Sequence, residues 1–184
     1  MAGLSKSEWK QKLCAISESL DGQGRHAQLM VIGSWPAIED GMPGRTSLDL
    51  DVWVEGSDFI EPVLVRACAD AGLLFNPTQP EEELDGQTPY LQLVEPGIVQ
   101  VPDRPPRSKV NLGALKILVP PPAALIASKL TRAAPKDLDD CLYLQHRHGV
   151  REAAIRDAID AFSDAFAKQT AIENLVLLRV RAAQ

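Results

Sequence analysis

The stretch TSLDLDVWV, Thr46 to Val54, decides how this chain is read. Along an extended backbone alternate side chains share a face, so Leu48, Leu50, Val52 and Val54 form one apolar row while Asp49 and Asp51 stand together on the other. The apolar row suits a strand laid against a core. The acids are harder to place, because two like charges sit about 6 to 7 Å apart at the backbone. From that spacing two carboxylates can converge on a hard divalent cation such as Mg²⁺, which takes few protein carboxylates and fills its shell with water and substrate phosphates. The plainer reading is a solvated strand face carrying two surface acids.

Upstream, QLMVIG (Gln28 to Gly33) is a short β-branched run closed by glycine. It predicts a strand, then a turn or short helix through a Gly- and Pro-bearing connection, then the acid-bearing strand. Before it, Ser5 and Glu8 form a capping box, and Trp9, Leu13, Ile16 and Leu20 recur at helical spacing up to Gly22 and Gly24. Downstream, SDFIEPVLVRACADAG predicts a helix with Ser57 or Asp58 as cap, Pro62 in the first turn and Gly72 as stop. The acidic run NPTQPEEELDGQTP, residues 76–89, reads as a loop, and YLQLVEPGIVQV as a hairpin about Pro96 and Gly97. PDRPPRS reads as an irregular basic connection, and ALKILV as a last strand ended by Pro120 to Pro122.

The hydrophobic period then becomes helical. PAALIASKLTR and KDLDDCLYLQHRH give two helices separated at Pro135, with Gly149 stopping the second. Ile155, Ile159, Phe162 and Phe166 mark a third stripe, and Ile172, Leu175, Val176 and Leu178 a fourth. The expected fold is α+β, with an αβ core over residues 1–119, its mixed sheet flanked by helices, and a C-terminal helical bundle over residues 120–184.

Composition narrows the classes of function. With 184 residues, 45% apolar and 24% charged, the chain can bury a substantial core. A net charge of −6 gives no general attraction to phosphate backbones or anionic membranes, although Arg104, Arg107 and Lys109 form a local basic cluster. Cys14, Cys68 and Cys141 are few and scattered, which points to a reducing cytoplasm rather than a disulfide framework. The N-terminal segment lacks a continuous apolar region, so neither export nor a membrane span is expected. His26, His146 and His148 have no partner at zinc-ligand spacing.

The segment VIGSWPAIEDGMPGRTSLDLDVWV resembles the nucleotidyltransferase superfamily, whose signature is Gly-Gly or Gly-Ser, a spacer, then Asp-x-Asp or Asp-x-Glu. A second segment, PPPAALIASKLTRAAPKDLDDCLYL, resembles the helical region of uncharacterised and toxin–antitoxin-associated nucleotidyltransferase-like families. There a Lys-Leu helix precedes Arg-x-Lys-Asp-x-x-Asp, and the matching residues here are Lys129, Leu130, Lys136, Asp137 and Asp140. The resemblance implies a nucleotidyltransferase-like core that transfers NMP from an NTP to an acceptor with two Mg²⁺ ions. Asp49 and Asp51 would be the catalytic metal ligands, Gly33 and Ser34 would hold terminal phosphates, and Lys129 or Lys136 would neutralise departing pyrophosphate.

Each residue also has a structural reading. Lys129 can snorkel at the edge of an apolar face, and Asp137 and Asp140 can serve a helix start. Arg45 and Thr46 either face substrate or shape the turn.

Three features depart from the family pattern, one of them a slightly long spacer before Asp49. Trp35 follows Gly33-Ser34 where small residues are usual. The third carboxylate of active members, expected on a neighbouring strand, is met by Gln100, with Glu95 and Asp103 as remaining candidates. The rival expectation is therefore a catalytically weak binding module, such as a toxin–antitoxin-type partner. The acceptor, whether RNA, protein or small molecule, is open, and the helical tail is a candidate for self-association.

Overall fold

β1 (Ala27–Val31) and β2 (Asp49–Asp58) run antiparallel at the centre of a mixed six-stranded sheet, with Val31 opposite Val52 and Met30 opposite Trp53. The computed structural model describes residues 3–78 and 87–183. Four further strands, β3 (Leu74–Phe75), β4 (Tyr90–Val94), β5 (Arg107–Asn111) and β6 (Leu115–Val119), complete the order β3-β4-β2-β1-β6-β5. β1 runs parallel to β6, and β4 runs parallel to both β2 and β3. With seven helices and this sheet among the described residues, the chain is α+β.

The chain divides into two units, residues 1–95 with 108–119, and residues 96–107 with 120–184. In the first, α1 (Lys6–Gly22) starts where Ser5 N–H donates to Glu8 Oε2 at 2.8 Å, closing the capping box. Its stripe of Trp9, Leu13, Ile16 and Leu20 packs with Leu64, Ala67 and Cys68 of α3 (Glu61–Asp70) and with Leu29, Leu50, Val52, Leu91 and Ile117 of the sheet. Burying each such aliphatic side chain contributes roughly 1.5–3 kcal/mol. Leu50 and Val52 are fully buried and their neighbours Asp49 and Asp51 only half-buried, so the alternation read in TSLDLDVWV sets the register of β2.

The second unit resumes at the triple proline that follows β6, and Pro122 opens α4 (Pro122–Leu130), where a first-turn proline loses no helical hydrogen bond. Every residue of α4 from Ala124 to Leu130 is buried, so α4 is the central helix, packed on α5 (Pro135–His148), α6 (Glu152–Asp160) and α7 (Ala165–Ala182). Gly149, at φ +60°, ends α5 in the left-handed conformation, and the Asp164 carboxylate caps α7 through Ala167 N–H at 2.6 Å. Among the described residues no helix is long and apolar enough to cross a membrane.

Four local expectations are corrected. The hairpin about Pro96 and Gly97 does not form: after β4 there is only an isolated bridge between Pro96 and Val99, and Pro102, Pro105 and Pro106 cannot donate to a ladder. The basic connection instead leads into β5, whose single apolar residue Val110 left no alternating pattern to read. α3 begins at Glu61 rather than after Ser57, because β2 bulges and extends to Asp58 and the Ser57 hydroxyl is used within it. That hydroxyl accepts from Met30 N–H at 2.9 Å and donates to Trp53 carbonyl at 2.7 Å. Finally, Phe166 belongs to α7, where it is 81% exposed, so the third stripe ends at the buried Phe162. Most of the acidic run expected as a loop, residues 79–86, lies outside the described residues.

Candidate functional site

The site is built where the turn after β1 meets the start of β2. Ile32 N–H donates to Asp51 carbonyl at 2.9 Å, extending the β1–β2 ladder by one residue and bringing Gly33 over the Asp51 side chain. Gly33 adopts φ +65°, a conformation that glycine enters without steric cost. A Cβ at Gly33 would collide with Asp51 Oδ2 and stand 2.8 Å from its Cγ. Absence of a side chain at Gly33 is therefore what gives the carboxylate room.

Around this contact lie polar groups of the same unit. The Arg45 guanidinium donates to Ser34 Oγ and, at 3.2 Å, to Thr46 carbonyl, so Arg45 both shapes the turn and holds the serine hydroxyl beside Gly33. Ser47 donates its hydroxyl to Asp49 Oδ1. Ser47 is in turn pinned by a bridge to Leu4, with Leu4 N–H donating to Ser47 carbonyl at 2.8 Å, and by the Trp9 indole N–H at 3.2 Å. The buried face of α1 thus fixes the approach to the acid pair. Trp35 begins the short helix α2 (Trp35–Glu39); its ring is 1% exposed and forms part of the core, and its indole N–H has no hydrogen-bond partner among the described residues.

Asp49 and Asp51 lie in register with Tyr90 and Gln92 of β4. The neighbour of Asp51 is therefore a neutral amide at position 92 and not Gln100, which lies beyond the end of β4. Glu95 is exposed beyond the end of β4, and Asp103 is exposed in the second unit. Among the described residues no group of three or more His, Cys, Asp or Glu side chains is gathered for a metal. The donors present are two half-buried hard carboxylates on one face, with a cradle at Gly33 that a Cβ would fill. Such a set fits a hydrated Mg²⁺ ion, which needs one or two carboxylates and brings the rest of its shell with it.

Lys129 and Lys136 belong to the second unit. Lys129 is 8% exposed, its ammonium 2.8 Å from Asp140 Oδ2 and 3.6 Å from Asp137 Oδ1. Arg132 grips Asp137 with two bonds of 2.7 Å, and Asp137 Oδ2 also accepts from Ala134 N–H at 3.2 Å at the start of α5. Burial alone would raise the Asp137 pKa, but the Arg132 hydrogen bonds, with Lys129, Arg132 and Ala134 N–H, hold it below the ordinary value of 3.8. The KDxxD motif here joins α4 to α5 through two basic and two acidic groups. Lys136 stands exposed in the first turn of α5. The same burial pushes the thiol of Cys141, beside this cluster, up to about 12 and leaves it inert.

The basic cluster read from Arg104 to Lys109 is divided between uses. Arg104 donates to Asp157 carbonyl at 2.7 Å inside the helical unit, and Lys109 forms an ion pair with Asp40 in the first unit. Of the two roles the sequence leaves open for Arg45, shaping the turn is the one its bonds to Thr46 carbonyl and Ser34 describe, whereas the place of Gln92 beside Asp51 follows only from strand pairing. Compared with protein-family models, with curated proteins and with solved structures, the chain matches none.

Proposed function

We propose that the chain is a nucleotidyltransferase-like protein that binds an NTP with divalent metal at Asp49 and Asp51 and transfers NMP to an acceptor. The observation that carries this reading is the closure of Gly33 on the Asp51 carboxylate, since it couples the Gly-Ser turn to the acid pair in one place. The order of strand, Gly-Ser turn, short helix and antiparallel acid-bearing strand, with β4 parallel beside it, supports the same reading.

In this reading Asp49 and Asp51 hold Mg²⁺, which when bound offsets phosphate charge in the in-line displacement. Ser34, held by Arg45, presents its hydroxyl to a terminal phosphate, and the open backbone at Gly33 lets that phosphate approach closely. The Arg45 guanidinium adds positive charge at the same turn. The proposal rests on the first unit alone. We assign Lys129 to the join between α4 and α5, because its ammonium is already committed to two buried carboxylates.

The test is a thermal-shift series with each NTP, with and without Mg²⁺, on the wild-type chain and on the Asp49→Asn, Asp51→Asn variant. A ligand bound only by the native state raises its stability by mass action. Metal-dependent stabilisation by at least one NTP, lost in the double variant, is the expected result.

A second reading, a nucleotide-binding module with weak or no transfer activity, is favoured by Gln92. An amide beside Asp51 cannot accept the proton of an acceptor hydroxyl as a carboxylate can. Label transfer from an α-phosphate-labelled NTP separates the two readings, since the module binds without transferring.

A further inference from the structure

We propose that Gln92 is a third donor of the Asp49–Asp51 cation site, a neutral oxygen aimed by Asn76; this rests on the cation reading of the two acids. Gln92 lies in parallel register with Asp51, so the two side chains leave the sheet on the same face of adjacent strands.

The orientation of the Gln92 amide follows from its bonds. Leu93 N–H, which can only donate, reaches Asn76 Oδ1 at 3.1 Å, so Asn76 must present its oxygen there. Gln92 stands 2.7 Å from that same oxygen and must therefore offer its Nε2, which also reaches Leu93 carbonyl at 3.3 Å. Asn76 follows β3, which flanks β4 on one side, while β2 flanks it on the other. With its nitrogen committed to Asn76 and to Leu93 carbonyl, the amide has only its oxygen left to offer a cation held at Asp51.

Asn76 is itself held in place at a cost. Its φ of +42° lies in the left-handed region that asparagine tolerates better than most residues, and its N–H donates to Leu91 carbonyl at 2.7 Å. Strained backbone of this kind concentrates at functional sites.

Amide oxygens are accepted ligands of hard cations. A site with two carboxylates and one amide oxygen carries two negative charges rather than three. It suits an exchangeable ion that arrives with its phosphates, and it lacks a base for the acceptor.

The test uses the full chain and Mn²⁺ alone, with free Mn²⁺ read by electron paramagnetic resonance. Asp51→Asn should lose binding. Gln92→Ala and Asn76→Ala should each weaken it by about tenfold, the usual size for loss of a supporting group. The Gln92→Ala, Asn76→Ala double variant should bind no more weakly than Gln92→Ala alone, which two unrelated structural losses would not do. If Asp51→Asn abolishes binding while Gln92→Ala leaves it unchanged, this inference is overturned and the cation site stands. If the wild-type chain fails to bind, or Asp51→Asn binds as well as wild type, the underlying reading fails with it.

Discussion

Gly33 and Asp51 compete for one volume: a Cβ on the glycine would overlap the aspartate's Oδ2. The turn after β1 and the acid face of β2 are thus fitted to each other atom by atom, and position 33 tolerates no side chain while Asp51 keeps its place. Two costs fall on any substitution there, the left-handed conformation at φ +65° and the collision.

Gly33→Ala separates these costs when compared with Gly149→Ala. At Gly149, φ is +60° and an added Cβ meets nothing within 4 Å, so that variant should lose only about 1–2 kcal/mol, the cost of a left-handed L-residue. Gly33→Ala should lose more by denaturant unfolding and should also lose Mg²⁺-dependent stabilisation by NTP. Equal losses at the two positions would show that Asp51 moves aside freely.

Lys129 offers a test of structure against ligand binding. Lys129→Met keeps the side-chain volume but leaves Asp137 and Asp140 buried without their shared cation, a change that costs about 3–5 kcal/mol. Guanidinium unfolding should register that loss. A stable Lys129→Met chain with weakened nucleotide binding would instead return the lysine to the phosphate role.

Acid should act through Asp137. Its folded pKa lies below the ordinary 3.8, so its contribution to stability is complete above the unfolded value and disappears as pH falls through the folded one. Below about pH 4 the wild-type unfolding free energy should therefore fall more steeply with pH than that of Asp137→Asn, whose stability is lower at neutral pH but lacks this titration. Parallel slopes in that window would remove Asp137 from the acid response.

Much of the αβ core was legible because burial writes a period into the chain. Trp9, Leu13, Ile16 and Leu20 at helical spacing, and Leu50 and Val52 flanking Asp51, each name the face that meets the core. Where the burial pattern is missing, so was the reading. β3 has two residues and β5 one inward valine, and the bulge in β2 is closed by a Ser57 hydroxyl whose partners lie 27 residues away and 4 residues away. Of the site, the acid pair, Gly33 and Ser34 stood out by type and spacing. Gln92 and Asn76 could not, since what matters about them is which strand lies beside β2 and which way an amide is turned, and both follow from tertiary pairing.

Isothermal titration of an NTP into the chain with and without Mg²⁺, repeated on the Asp49→Asn, Asp51→Asn variant, bears most directly on the acid pair. The account predicts saturable binding that requires the metal and vanishes in the variant, while its circular dichroism stays that of the wild type. Binding of equal affinity in both chains, or none by the wild type at millimolar nucleotide, would contradict it.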